Sequence, residues 1–301
     1  MFRGMTATAT TETAPTVRFE RLVAGQAVHR SNLADVLITD AQPLGQDRFL
    51  AGAHWPRNHV LLGRTETVDP ALAAETIRQV TIYAAHAFYD VASDAQFLML
   101  HITANACSRP SRQVGPQLVL EATFTRTRRI REALAEFEVQ VTCSDAVGVV
   151  ASGSASGRIV SRSVYERARG TAAAAVPADD ESLAGPLQVI RKDPVTGAIL
   201  LVVDPDEPAF FDHPLDHVPG MLMLEAARQS ALDTVAVGEV AGFDARFRSI
   251  TELSGPCHLV VVDDVRGRLV RFEQGGQVTA EILCRLASPA APQEGDAVTT
   301  G

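Results

Sequence analysis

A chain of 301 residues with 46% hydrophobic and 21% charged content holds material for one or two cores of ordinary size. Its formal net charge of −9 argues against unspecific nucleic-acid binding, and no apolar run is long enough to span a membrane. Four widely spaced cysteines, Cys107, Cys143, Cys257 and Cys284, form no CxxC pair, which suits reduced, buried thiols in a cytoplasmic protein.

Residues 1–16 are rich in Thr and Ala without a basic start and apolar core, so they read as a disordered leader rather than a signal peptide. The first unit, residues 17–166, contains Asp69-Pro70, an N-cap followed by proline at the first helical position, and helical patterning runs on to about Tyr89. Segments Phe97–Ala106, Gln117–Thr127, Phe137–Ser144 and Val147–Val160 have the β-branched and aromatic content of antiparallel strands. Arg126, Arg128, Arg129 and Arg131 form a local basic cluster, read as a solvated sheet face or strand end, with an acidic partner as the alternative. Residues 167–185, alanine-rich with Pro177 and the acidic run Asp179-Asp180-Glu181, read as a linker.

The second unit, residues 186–288, repeats the order, and a disordered tail, 289–301, follows. Ile199–Asp204 reads as a strand, Pro219-Gly220 precedes a helix Met221–Val237, and Arg246–Leu253, Cys257–Val262, Arg268–Glu273 and Val278–Leu286 read as strands. One long helix followed by several strands defines an α+β unit, present twice.

The duplication has a chemical signature. Glu75-Thr76-Ile77-Arg78-Gln79 returns 150 positions later as Glu225-Ala226-Ala227-Arg228-Gln229, and Phe97 and Phe247 each follow their glutamate by 22 positions. Residues three and four apart share a helix face, so each copy sets a carboxylate, a guanidinium and an amide side by side. The helix from Met221 is apolar nearly all round and calls for a sheet wrapped about it. Burying Glu225 or Arg228 without partners costs several kcal/mol, so these groups meet each other, water or a ligand. Two readings stay open: a lined cavity, or a link from helix to sheet.

Phe210-Phe211-Asp212-His213-Pro214-Leu215-Asp216-His217-Val218-Pro219-Gly220, leading into Met221-Leu222-Met223-Leu224-Glu225, resembles the approach to the central helix of hotdog-fold acyl-thioester enzymes. With Val28-His29-Arg30, Leu37-Ile38-Thr39-Asp40, Asp47-Arg48-Phe49 and Trp55-Pro56-Arg57-Asn58-His59, the chain from about Val28 to Leu286 resembles the A-factor biosynthesis (AfsA-like) family, signal synthases of actinomycetes. The resemblance implies a tandem hotdog and an acyltransferase condensing a β-ketoacyl thioester, on acyl carrier protein or coenzyme A, with dihydroxyacetone phosphate on the way to a γ-butyrolactone or butenolide signal. Hotdog dehydratases usually carry a histidine upstream of the Pro-Gly element. Here His213 precedes Gly220 by only seven positions and His217 intervenes, which weakens that assignment.

Acyl transfer to a hydroxyl needs a base for the alcohol and donors for the developing oxyanion. Glu75 and Glu225 are the base candidates, and backbone N–H groups at Gly220 and Met221 are the donors at the start of the second helix. Arg228 and Arg78 offer guanidinium forks to a phosphate or keto oxygen, flanked by Gln229 and Gln79. His213, His217 and His59 line or seal the entrance, and the lone Trp55 belongs to the core. Pro214 and Pro219 oppose a regular helix that would converge the two histidines on a metal, and neither a P-loop, a dinucleotide fingerprint nor a GxSxG elbow occurs, so no cofactor is expected. The rival readings are a hotdog dehydratase or thioesterase, and a noncatalytic module that binds acyl ligands.

Overall fold

The computed structural model describes residues 16–57, 59, 65–170, 187–233 and 239–287. The expected leader, apart from Thr16, the expected tail, and the expected linker from 171 onward lie outside the described residues. The first half consists of β1 (Ile38–Gly45), β2 (Arg48–His54), α1 (Pro70–Phe88), β3 (Gln96–Ala106), β4 (Gln117–Ile130), β5 (Ala133–Ser144) and β6 (Val149–Val160). A short helix, α2 (Arg162–Arg169), follows. The second half consists of β7 (Ile190–Lys192), β8 (Ile199–Leu201), α3 (Gly220–Leu232), β9 (Val240–Phe247), β10 (Cys257–Asp264), β11 (Gly267–Gln274) and β12 (Gln277–Leu286).

All twelve described strands join one antiparallel sheet in the order β1-β2-β4-β5-β6-β3-β9-β12-β11-β10-β8-β7. The seam is β3 against β9, running from His101 opposite Arg246 to Asn105 opposite Gly242. Read outward from that seam, both halves have the same strand order, so the duplication announced by the Glu-Arg-Gln motif extends to the whole topology. This is a double hotdog: two helices, each wrapped by one half of a continuous sheet.

Local chemistry explains the elements. Asp69 accepts the Ala71 N–H at 2.8 Å and Pro70 occupies the first helical position, so α1 starts where its unpaired donors are capped. From Pro70 to Ile77 every residue of α1 is buried, as is every residue of α3 from Met221 to Ala227. Fully burying side chains such as Leu72, Ile77, Leu222 and Leu224 stabilises the fold by about 1.5–3 kcal/mol each. In β4, Leu118, Leu120, Ala122 and Phe124 alternate inward with period two. Helix and sheet approach so closely at Gly153 that a Cβ there would lie 2.0 Å from the Thr103 carbonyl oxygen and 2.7 Å from Ile77 Cδ1.

The structure departs from the sequence reading at several elements. Strands β1 and β2 were not anticipated: β1 is an edge strand interrupted by Pro43, and β2 has Ala51-Gly52-Ala53 in its second half, so neither shows a strong strand signal. The expected strand Arg246–Leu253 is displaced, because β9 ends at Phe247 and the Arg248 and Ser249 N–H groups turn to the Thr279 carbonyl. Phe97 stands near the beginning of β3 while Phe247 closes β9, so their shared 22-residue spacing is coincidence rather than structural equivalence. The described part of α3 ends at Leu232, with residues 234–238 outside the described set, and α2 occupies the boundary placed between first unit and linker. No described helix is long and apolar enough to cross a membrane.

Candidate functional site

The repeated motif performs the same local task in both halves. Gln79 donates from Nε2 to the Asp35 carbonyl (2.7 Å) and to Glu75 Oε1 (2.6 Å), while its Oε1 accepts the Leu37 N–H (2.8 Å). Gln229 donates to the Leu187 carbonyl (2.6 Å) and Glu225 Oε1 (2.6 Å) and accepts the Val189 N–H (3.2 Å). Each amide therefore ties the central helix to the chain leading into the outermost strand of its half. Both N–H donors of each Gln are committed within the protein.

Around Glu75 the first half adds a second cation. Arg30 donates from Nε to Glu75 Oε1 at 3.0 Å and brings Nη2 within 2.8 Å of the same oxygen, while Arg78 donates from Nε to Oε2 at 3.0 Å and from Nη2 to Oε1 at 3.3 Å. Glu75 is 1% exposed, yet burial, which would raise its pKa, loses to Arg30 and Arg78, and the carboxyl is held down at about 2. Held down in this way, the carboxylate is ionised and serves as counter-ion to both guanidiniums. Arg78 keeps 22% side-chain exposure, and its Nη1 makes no hydrogen bond among the described residues. Arg30 was not singled out as a site residue from the sequence; its signal was its place in Val28-His29-Arg30. The preceding turn folds tightly enough that a Cβ on Gly25 would lie 2.4 Å from the Arg30 carbonyl oxygen.

The second half reaches into this cluster. Asp212 Oδ1 lies 3.6 Å from Arg30 Nη1, and its Oδ2 accepts the Ser31 N–H at 2.8 Å. The same Asp212 Oδ1 is 2.5 Å from His213 Nδ1, so the carboxylate accepts a hydrogen bond from Nδ1–H and orients Nε2 on a ring that is 38% exposed. Burial raises the Asp212 pKa, but His213, Ser31 and Arg30 bring it down to about 2. Four residues on, Asp216 Oδ1 lies 2.7 Å from His217 Nδ1 in a second carboxylate–histidine pair. Burial pushes the Asp216 pKa up, and Arg169, His217 and Tyr165 outweigh it, bringing it to about 2.

Two more histidines flank the first cluster. His86 lies eleven residues after Glu75, on the same face of α1, with Nδ1 3.0 Å from the Val91 carbonyl and Nε2 3.0 Å from His29 Nε2. Burial, then Arg78, His86 and His213, push the His29 pKa down to about 4, so its ring is neutral. A hollow of about 350 Å³ is lined by Leu22, Leu33, Asp35, Val36, His54 and His59, among others. Buried His59 feels the charges of Asp35, Glu75 and Arg30, although burial dominates and lowers its pKa.

In the second half, Arg228 donates from Nε to Glu225 Oε2 at 2.9 Å and from Nη2 to Oε1 at 2.5 Å. Glu225 is 1% exposed, and burial of Arg228, which lowers its pKa, is outweighed by Glu225 so that the guanidinium pKa is raised. Gln229 joins this pair on α3, and the Arg228 guanidinium also feels the charge of Asp69 at the start of α1. Gly220 and Met221 begin α3, and the first helical N–H with an acceptor is that of Met223, to the Pro219 carbonyl at 3.1 Å. Their own N–H groups thus lie outside the helical ladder. Trp55 is buried and donates to Thr76 Oγ1 at 2.9 Å, a core role. Burial pushes the thiols of Cys143, Cys257 and Cys284 up to about 12, which removes them as nucleophiles near neutrality.

The double hotdog is an architecture shared with solved thioesterases. An acyl-ACP thioesterase from Bacteroides thetaiotaomicron superposes with a TM-score of 0.54 at 9% identity, covering 80% of this chain and 98% of that one. The 12:0-ACP thioesterase from Umbellularia californica gives 0.52 at 8% identity, covering 82% and 99%. At such identities the likeness is one of fold. Sequence defines the relationship more narrowly. Residues 11–161 and 187–253 match the A-factor biosynthesis hotdog domain, AfsA, and the chain belongs to that family. A relative from Streptomyces virginiae, a 2-oxo-3-(phosphooxy)propyl 3-oxoalkanoate synthase, is 33% identical over 249 residues, 77% of this chain and 84% of the relative. One of the same name from Streptomyces griseus is 29% identical over 286 residues, 86% and 93% of the two chains.

Proposed function

We propose that the chain is a cytoplasmic acyltransferase that moves a β-ketoacyl group from a thioester, carried on acyl carrier protein, to the hydroxyl of dihydroxyacetone phosphate. The product is the phosphorylated ester that the synthase names of its relatives describe. The observation that carries the reading is the convergence of Asp212–His213 from the second half on the Arg30–Glu75–Arg78 cluster of the first. The two units, 17–166 and 186–288, share one working site in this scheme, with 167–185 joining them.

Each group has a role suited to its chemistry. His213, oriented by Asp212, takes the hydroxyl proton on Nε2 as the alcohol oxygen bonds to the thioester carbonyl carbon. The tetrahedral oxyanion faces the N–H groups of Gly220 and Met221, whose positions at a helix start favour negative charge. Collapse breaks the carbon–sulfur bond, and the proton held on His213 passes to the departing thiolate. The Nη1 donors of Arg78 receive the phosphate, while Glu75 holds both guanidiniums in place. Gln79 and Gln229 position the helices, His217 and His59 line the approach, and the Glu225–Arg228 pair maintains the second helix.

Purified protein incubated with a β-ketoacyl thioester, with and without dihydroxyacetone phosphate, tests the reading. Thiol release and phosphorylated ester that both require the acceptor support it. Thiol release at equal rate without acceptor, an enoyl product, or binding without turnover overturns it.

A further inference from the structure

The loop that carries His213 and His217 is anchored outside its own half. At one end Asp212 is held by Arg30 and Ser31. At the other, Asp216 is held by α2, the helix at the junction of the two halves. Tyr165 donates from its hydroxyl to Asp216 Oδ1 at 2.7 Å, and Arg169 donates from Nε to Asp216 Oδ2 at 2.8 Å and from Nη2 to the Asp216 carbonyl at 2.8 Å. The remaining face of the Arg169 guanidinium forms a two-pronged contact with Glu252, Nη1 and Nη2 each at 2.7 Å from an oxygen. Arg169 is 9% exposed although it stands at the end of an eight-residue helix whose other residues are largely exposed. Of four bonds from one buried guanidinium, two hold the side chain and the backbone of Asp216 and two hold Glu252. An alanine-rich connection has no need of such a group merely to continue the chain.

We propose that Arg169 and Tyr165 are positioning residues for acyl transfer: through Asp216 they fix the loop that aims His213 and His217, so the junction helix belongs to the working site. The proposal rests on the acyl-transfer reading above. Burial, then the bond to Asp216, raises the Tyr165 pKa, so its hydroxyl remains a donor throughout the neutral range. The carboxylate of Asp216 is left to accept from Tyr165, Arg169 and His217 together, which fixes the His217 tautomer with its proton on Nδ1.

Three variants test the assignment: Arg169→Lys, which keeps the charge but lacks the fork, Arg169→Ala, and Tyr165→Phe. A displacement of about 1 Å in catalytic geometry can lower turnover by about 100-fold. We expect kcat of Arg169→Ala to fall by that order, with the KM for thioester changed by less than about threefold, and added guanidinium at millimolar concentration to restore about tenfold of the loss. Arg169→Lys and Tyr165→Phe should fold as the wild type does, lose part of kcat, and shift the downfield proton resonance of His217 Nδ1–H. Unaltered kcat and an unmoved resonance in these two conservative variants overturn the proposal, as does parallel loss of kcat and folded fraction without guanidinium rescue. The resonance is read without turnover, so an inactive wild-type protein would count against the acyl-transfer reading while leaving the clamp itself measurable.

Discussion

Replacing Glu75 by glutamine preserves shape and removes one charge at the most crowded ionic position in the fold. In the wild type, Glu75 accepts four guanidinium contacts from Arg30 and Arg78 and one from Gln79, while only 1% exposed. In Glu75→Gln two guanidiniums, one with 8% side-chain exposure, face each other with Asp212 and Asp35 to offset them. Removing one partner from a buried ion pair typically costs 3–5 kcal/mol, about 3 kcal/mol here because Arg78, with 22% side-chain exposure, can turn toward solvent. For a chain of this size that corresponds to a fall in Tm of about 5 °C. Thermal and urea unfolding of Glu75→Gln are the assays, with Glu136→Gln on the exposed face of β5 as a control that should leave the midpoint in place. A Glu75→Gln midpoint within about 2 °C of wild type would refute the buried counter-ion and restore Glu75 as a candidate base.

Other outcomes follow from the same geometry. His213→Ala should lower kcat by about 10²–10⁴-fold with little change in Tm, since the ring is 38% exposed; acceptor-dependent thiol release measures it. Stability should fall steeply under acid. Glu75, Asp212 and Asp216 have folded pKa values near 2, below the ordinary 4.5 and 3.8, so their contributions are complete above the ordinary values and vanish as pH falls through 2. His29, lowered from 6.5 to about 4, stays neutral in the fold while the unfolded chain takes up its proton, so stability falls further between pH 6.5 and 4; the pH dependence of urea midpoints should be shallower in Asp212→Asn than in wild type. The Val91 carbonyl only accepts, so nitrogen-15 spectra at neutral pH should show His86 protonated on Nδ1 and His29 on Nε2; the reversed assignment would require a charged His86.

The motif spacing revealed the duplication because Glu-x-x-Arg-Gln must recur intact to make the same three bonds in each half. Asp69-Pro70 marked the helix start by local chemistry alone, and the alternation of β4 marked its inward face. The spacing did not reveal that the amides of Gln79 and Gln229 close onto backbone 42 and 40 residues upstream, at Leu37 and Val189, since hydrogen bonds of that span leave no periodic trace. Arg30 was invisible as a site residue for the same reason: it meets Glu75 across 45 residues. The Asp-His doublets were legible as chemistry, yet their partners Ser31 and Arg169 come from outside the second unit, so the shared site emerges only from three-dimensional packing. Phe97 and Phe247 show the converse, a regular spacing with no common place in the sheet.

In the proposed acyl transfer, both halves of the chain supply one working site. A crystal structure with dihydroxyacetone phosphate and a non-reactive β-ketoacyl thioester analogue is the direct measurement. The predicted result places the phosphate on Arg78 and the acceptor hydroxyl within hydrogen-bonding distance of His213 Nε2. Both ligands seated instead against Glu225 and Arg228, with His213 remote, would contradict it.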